Sequence, residues 1–311
     1  MRQGVRFLSL AMFVLFLGLN VYAAGEPYKI LAPPTPSSIP LLLAADKFDT
    51  LRVEIFLQHS RAHARFLNGE VKLLNTGITV GRTLYDQGAP IKIVNSHVAG
   101  ITYLVTNQKG VDHFVDLKGK TIHLPFKGSP IDDITQFFIR RSGLEWDQEI
   151  KIKYRPFQAT VKSMLNGSMD TAVLPEPFIS HILMRADANQ GFYIAFAYMD
   201  MWQQLTGSPD GYPQVGLFGR TDFLLDNEAL VKSFNRELAV AIDLVQTDPQ
   251  LAIRKTAGYF KFQSQILQSA LKRTRFKLWV GQELTQAVQF YDDKLKPTDE
   301  TTRFPTDFFF H

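Results

Sequence analysis

The chain predicts an α/β fold with largely parallel sheets, cut into two lobes around a central cleft. Three observations carry this expectation. Short runs that look like buried strands alternate with helix-length amphipathic runs between residues 28 and 176, the signature of βαβ units. Two further strand-like runs, "AGITYLVTN" (99–107) and "DGYPQVGLFGR" (210–220), lead out of one α/β unit and back towards it. From Asn227 onward the pattern turns helical. Two crossings make residues 102–212 an inserted lobe, with 25–101 and 213–311 forming the other.

The first residues read as a leader. Arg2 and Arg6 precede an apolar run from Phe7 to Leu19, and Val21 and Ala23 suit the −3 and −1 positions of a cleavage site. The run is short for a transmembrane anchor, although an uncleaved anchor is the alternative. A signal peptide over 1–24 sends the mature chain to the periplasm. The chain has no cysteine, so it is not a lipoprotein, and disulfides, Fe–S clusters and thiol catalysis are excluded. No cofactor and no metal is expected.

The chain carries 34 Lys and Arg against 30 Asp and Glu, a net charge of +4. The leader holds two arginines and no acid, which leaves a nearly neutral mature chain. No basic tract stands out, and nucleic acid is not an expected partner. Roughly 285 residues can bury a full core.

The strands come first. "YKILAP" (28–33), "VKLLNT" (71–76), "IKIVNS" (91–96), "TIHLPF" (121–126), "IKIKYRP" (150–156) and "TAVLPE" (171–176) are short and apolar. Between them lie the helical patterns "IPLLLAADKF", "ITVGRTLYDQG", "DDITQFFIRRSGL" and "ATVKSMLNGS". The tail adds "EALVKSFNRELAVAIDLVQ", a new helix opened by Asp248-Pro249, "QSQILQSALKRT" and "QELTQAVQFYDDKLK".

Ligands of open α/β sheets sit beyond the C-terminal ends of strands, where helices begin. Ser37 or Ser38 can cap the helix that Pro40 opens, and Thr76 or Thr79 flank Gly77 at a second helix start. In "LPFKGSPIDDITQFFIRRSGL" (124–144), Ser129 reads as N-cap, Pro130 as N1 and Asp132 as N3. Ser129 and Pro130 suffice as a helix cap alone. Lys127 adds a charge, Gly128 allows close backbone approach, and Asp132 and Asp133 oppose a purely anionic ligand. In "VLPEPF" (173–178) two prolines bracket Glu176, so its carboxylate either meets a ligand or pairs locally.

Other features are weaker. His59 and His63 lack the H-E-x-x-H pattern and read as a solvated basic face beside Arg61 and Arg65. His97 follows a strand and can look into the cleft. Phe126, Phe157, Phe178, Trp202 and Tyr212 read as core, with Phe126, Phe178 and Tyr212 placed to touch a ligand. Neither a phosphate loop nor a G-x-S-x-G elbow is present.

"FLNGEVKLLNTGITVGRTLYDQGAPIKIV", "DLKGKTIHLPFKGSP", "LNGSMDTAVLPEPF" and the closing "FPTDFFFH" together resemble periplasmic solute-binding proteins of the nitrate/taurine/sulfonate and thiamine-pyrimidine-precursor ABC importers. Lys72 departs from the acid common at its position and is discounted as a ligand contact. The resemblance implies a type II periplasmic-binding-protein fold, two α/β lobes joined by two crossing strands, and capture of a small organic metabolite or anion. The implied contacts are Ser37, Ser38, Thr76, Gly77, His97, Lys127, Gly128, Ser129 and Glu176. Tyr212 joins them by its place at a crossing. Lys127 or Glu176 would select charge, the partner would be an inner-membrane permease, and a monomer is expected. The rivals are an enzyme on the same fold and a sensor subunit for a membrane receptor. A nitrogen heterocycle or similar metabolite is favoured slightly over a sulfonate.

Overall fold

The computed structural model describes residues 26–295 and 304–311; the expected leader lies outside them. Four strands open the first sheet: β1 (Tyr28–Ala32), β2 (Leu51–Ile55), β3 (Leu73–Gly77) and β4 (Ile91–Gly100). The next five form a second sheet: β5 (Thr102–Thr106), β6 (Thr121–Leu124), β7 (Lys151–Tyr154), β8 (Thr171–Pro175) and β9 (Tyr193–Ala197). Then β10 (Val215–Arg220) and β11 (Arg275–Trp279) return to the first. The spatial orders are β11-β4-β10-β3-β1-β2 and β7-β6-β8-β5-β9.

The helices of the first βαβ units are α1 (Ser38–Ala45), α2 (His59–Leu67) and α3 (Ile78–Asp86). Those of the second sheet are α4 (Pro130–Arg141), α5 (Phe157–Leu165), α6 (Phe178–Arg185) and α7 (Tyr198–Thr206). After β10 come α8 (Thr221–Asp226), α9 (Glu228–Thr247), α10 (Pro249–Thr256), α11 (Ser264–Lys272) and α12 (Gly281–Leu295).

The sheets are mixed, which corrects the expectation of largely parallel ones. β1 runs parallel to β2 and β3, and β6 parallel to β7 and β8. β10 is antiparallel to both β3 and β4, and β5 to both β8 and β9. These are the strands next to the crossings. A chain that crosses directly into the other sheet, with no intervening helix, enters it running the opposite way.

Every residue of α1 is buried, so it reads as apolar all round. It packs on α9, whose Val231, Phe234, Leu238, Ala241, Ile242 and Val245 make one helical stripe. Three strands escaped the sequence reading. β2 and β11 interleave charged residues, and β9 lies in a stretch rich in small and aromatic residues. The C-terminal aromatics are part of the core: Phe308 and Phe309 are buried, and the Phe310 amide donates to the Ile93 carbonyl at 3.0 Å.

Only Ile101 separates β4 from β5. The return segment hydrogen-bonds to the end of β4: Tyr212 N donates to Ala99 O at 3.2 Å and Gln214 N to Val98 O at 3.0 Å. Glu176 N donates to Ile101 O at 2.9 Å. The two crossings are therefore bonded side by side, the first of them also to Glu176 just past β8, and together they form the floor of a cleft.

Candidate binding cleft

The cleft has a volume of about 560 Å³ and takes residues from both sheets. The first side supplies the β1–α1 turn (Pro33, Pro34, Thr35), the start of α2 (Gln58, His59, Ser60, His63) and the β3–α3 junction (Thr76, Gly77). The second side supplies Phe126, Ser129 and Pro130 before α4, Pro156, Phe157 and Gln158 at α5, and Phe178. Ile101, Gln214 and Val215 form the floor. None of the lining side chains is Lys, Arg, Asp or Glu. Such a wall is mostly apolar with a few fixed polar groups, as small-molecule sites are.

Three of the expected contacts line this cleft: Thr76, Gly77 and Ser129. Thr76 Oγ1 lies 3.4 Å from His63 Nε2. Ser129 is the side-chain cap of α4, its Oγ accepting from Asp132 N at 3.1 Å. Gly77 touches the other side of the cleft, since a Cβ there would lie 2.2 Å from Pro130 Cγ. Phe126 and Phe178, expected to contact a ligand, are also in the lining.

The other expected contacts do not line it. Ser37 and Ser38 are fully buried behind the turn. The Ser37 Oγ lies 2.8 Å from Thr35 Oγ1 and accepts from Asn75 Nδ2, while Ser38 Oγ donates to the Pro33 carbonyl at 2.5 Å. Neither makes a side-chain cap for α1. His97 sits beneath the same turn, its Nε2 3.1 Å from the Ser37 carbonyl and its Nδ1 3.0 Å from Asn95 Oδ1. Burial pushes its pKa down to about 4. These residues hold the wall up rather than face the cavity.

Lys127 and Gly128 are exposed and outside the lining. Gly128 has φ +73°, and its amide is already taken by Asp132 Oδ2 at 2.8 Å. Asp132 also accepts from the Tyr154 hydroxyl at 2.8 Å, so it locks the loop before α4. Asp133 is half-buried, and burial raises its carboxyl to about 6, opposed by the Thr79 hydroxyl beside it.

Glu176 takes the local alternative. It is fully buried, accepts from Ser180 N and Ser180 Oγ, each at 3.0 Å, and faces Arg273 Nη1 at 3.4 Å. Burial raises its pKa, and the Ser180 and Arg273 donors oppose the rise. Tyr212 is also fully buried, its ring stacked on Tyr291 with centroids 5.4 Å apart. Its hydroxyl pKa is raised by burial.

Two features of the cleft were missed. His59 and His63 are half-buried in its wall, not a solvated face. Phe157 lines the cleft as well, stacked on Phe178 at 4.9 Å. The signal was present: once "LRVEI" is seen as a strand, "QHS" (58–60) falls at its C-terminal end, where a helix opens. His59 pKa is pushed down to about 4 by burial and then by His63, and burial lowers His63 as well.

Solved structures share this architecture. An ABC transporter protein from Parabacteroides distasonis is 17% identical with a TM-score of 0.73, covering 92% of this chain and 99% of its own. The periplasmic aliphatic sulphonate-binding protein SsuA from Escherichia coli is 17% identical at a TM-score of 0.69, covering 87% and 88%. The periplasmic nitrate-binding protein NrtA from Synechocystis PCC 6803 is 12% identical at 0.64, covering 83% and 74%. This likeness establishes the fold expected from the sequence, the type II periplasmic-binding-protein architecture of two α/β lobes. No curated protein matches the chain in sequence. The profile of the NMT1-like family matches residues 71–259, and this chain belongs to that family.

Proposed function

We propose that the chain is the solute-binding component of an ABC importer, capturing a small organic molecule between its lobes and handing it to a membrane permease. The observation that carries this reading is the cleft itself: 560 Å³, walled by both sheets and floored by both crossings. A cavity walled in this way encloses its contents when the sheets approach and releases them when they part. The division that serves this motion is 25–101 with 213–311 against 102–212. The binding proteins among the solved structures of this fold support capture rather than catalysis, and their periplasmic setting supports an exported chain. Among the described residues no helix is long and apolar enough to cross a membrane. A small organic solute is favoured over a bare inorganic anion, because no Lys or Arg side chain lines the cavity and five phenylalanine and histidine rings do: Phe126, Phe157, Phe178, His59 and His63.

The test is native mass spectrometry of the protein purified gently from the periplasm, with release and identification of any bound mass. A stoichiometric small organic molecule is expected. An empty protein that no solute in a thermal-shift panel of sulfonates, nitrate, pyrimidines and flavin precursors stabilises would overturn the reading.

A further inference from the structure

His59 is the polar side chain of the cleft whose chemistry is least explained by the fold. It begins α2, and its ring is enclosed by Phe56 at 5.0 Å, Phe126 at 5.6 Å and Phe157 at 6.3 Å, centroid to centroid. Phe126 and Phe157 belong to the opposite side of the cleft, so the ring spans the cavity wall where the two sides meet. Its Nδ1 is buried and has no hydrogen-bond partner. Its other nitrogen, Nε2, has no hydrogen-bond partner among the described residues and is not sealed from solvent. One ring nitrogen is sealed in the wall, and the other keeps contact with solvent on a side chain that lines the cavity.

Two arguments place the proton. A buried N–H with no acceptor is rarer, and costlier, than an acceptor left unused. Nδ1 is also the nitrogen nearer the backbone, and His59 is the first residue of α2, where the positive end of the helix dipole favours a lone pair over an N–H. Both put the proton on Nε2. The ring is uncharged near neutrality, because burial and the neighbouring His63 hold its pKa far below the usual histidine range.

Resting on the solute-capture reading above, we infer that His59 is the specificity-determining residue of the cleft, presenting a neutral Nε2–H donor that reads a hydrogen-bond acceptor on an otherwise apolar solute. An imidazole in this state rejects a cation, which brings no acceptor, and gives no charge reward to an anion. It discriminates between two solutes of the same shape by the presence of a carbonyl oxygen or a ring nitrogen. A polar reader in an apolar wall is more selective than the wall itself, since an analogue without the acceptor leaves the N–H desolvated and unpaired.

The experiment uses the full mature chain, ¹⁵N-labelled, with long-range ¹H–¹⁵N correlation spectra of its histidines and His59→Gln for assignment. The Nε2–H tautomer is expected at His59 and is expected to persist, uncharged, from pH 8 to pH 5.5. Quinoline and naphthalene then serve as probes of matched shape, one with an acceptor nitrogen. Quinoline is expected to bind about tenfold tighter, the worth of one hydrogen bond, and to move the His59 Nε2 signal. His59→Phe is expected to bring the two within about twofold while binding naphthalene as well as the parent does. An Nδ1–H tautomer, an imidazolium at pH 6.5, or equal affinities in the parent protein would each overturn the inference. Those results leave the solute-capture reading standing if the purified protein carries a bound molecule. If it carries none and neither probe binds, both fall together.

Discussion

Gly77 and Pro130 meet across the mouth of the cleft: a Cβ on Gly77 would lie 2.2 Å from Pro130 Cγ and 2.7 Å from its Cδ. Gly77 has φ −64°, which any residue adopts, so the restriction is one of space and not of backbone. The two residues open α3 and α4, one on each sheet. Gly77→Ala therefore has to push those helix starts apart. Overpacking of this kind costs about 1–3 kcal/mol, and the molecule can escape it by opening. Solute affinity is expected to fall about 5- to 100-fold, with the solute-free thermal midpoint shifting by only a few degrees. Calorimetry with the solute recovered from the native protein measures this. Unchanged affinity would show that the contact plays no part in holding solute.

His97 makes a prediction about pH. Its pKa in the fold is about 4, pulled down by burial, against about 6.5 in an unfolded chain. Above pH 6.5 both states are neutral and the fold keeps its full stability. As pH falls from 6.5 towards 4 the unfolded chain binds the proton first, and stability is lost by up to about 3 kcal/mol. His59, also held at about 4, slopes the same way. Asp133, raised to about 6, slopes the opposite way, since its ionisation is disfavoured in the fold as pH rises from about 4. His97→Gln is expected to flatten the acid limb seen in urea titrations between pH 4 and 6.5. Asp133→Asn is expected to steepen it. An unchanged slope in His97→Gln would mean that the buried ring is not what the acid limb reports.

The cap of α4 was legible because it is local. Ser129, Pro130 and Asp132 sit within four residues, and the bond from Asp132 N to Ser129 Oγ follows from spacing alone. The same holds for Asp248 ahead of Pro249, whose carboxylate accepts from Leu251 N at 2.9 Å. The alternation of β1, α1, β3, α3 and β4 was legible for a similar reason. What failed depended on distant partners. Glu176 was left between a ligand and a local partner: its Ser180 donors lie close in sequence, but Arg273, the cation that faces it, lies 97 positions away. Ser37 and His97 stood at the right strand ends, but the Pro33–Thr35 turn covers them. His59 was lost with β2, whose Arg52 and Glu54 disguise a strand, and the two arginines of α2 then made a cleft wall look like a wet surface.

Lys127 illustrates the limit of reading charge from position. It precedes the α4 cap, yet it is exposed and outside the cleft lining. Lys127→Ala is therefore expected to change solute affinity by less than about twofold, for neutral and anionic solutes alike, as exposed charges do at physiological salt. Phe157→Ala, by contrast, removes a ring that lines the cavity and stacks on Phe178. It is expected to weaken binding at least tenfold, from about 1.5–3 kcal/mol of lost apolar contact. A side-by-side thermal-shift titration checks both, and a larger loss in Lys127→Ala than in Phe157→Ala would reverse the assignment.

Glu176 ties the floor of the cleft to the helical tail. Its carboxylate is fully buried and accepts from both Ser180 donors at the start of α6. Arg273, at the end of α11, donates to Ser180 Oγ at 2.9 Å and faces the same carboxylate, while its own carbonyl accepts from the Tyr103 hydroxyl on β5. Removing the carboxylate leaves buried donors unpaired. Glu176→Ala is expected to cost about 2–4 kcal/mol in urea unfolding; because Arg273 is partly exposed, the lower half of that range is favoured. Glu176→Gln keeps an acceptor for Ser180 and relieves the burial of charge that raises the pKa, so its loss should stay under about 1 kcal/mol. Neither variant should change the ranking of charged against neutral solutes, because the carboxylate does not reach the cavity. If Glu176→Gln folded normally but altered that ranking, the carboxylate would have to be counted among the groups that sense the solute.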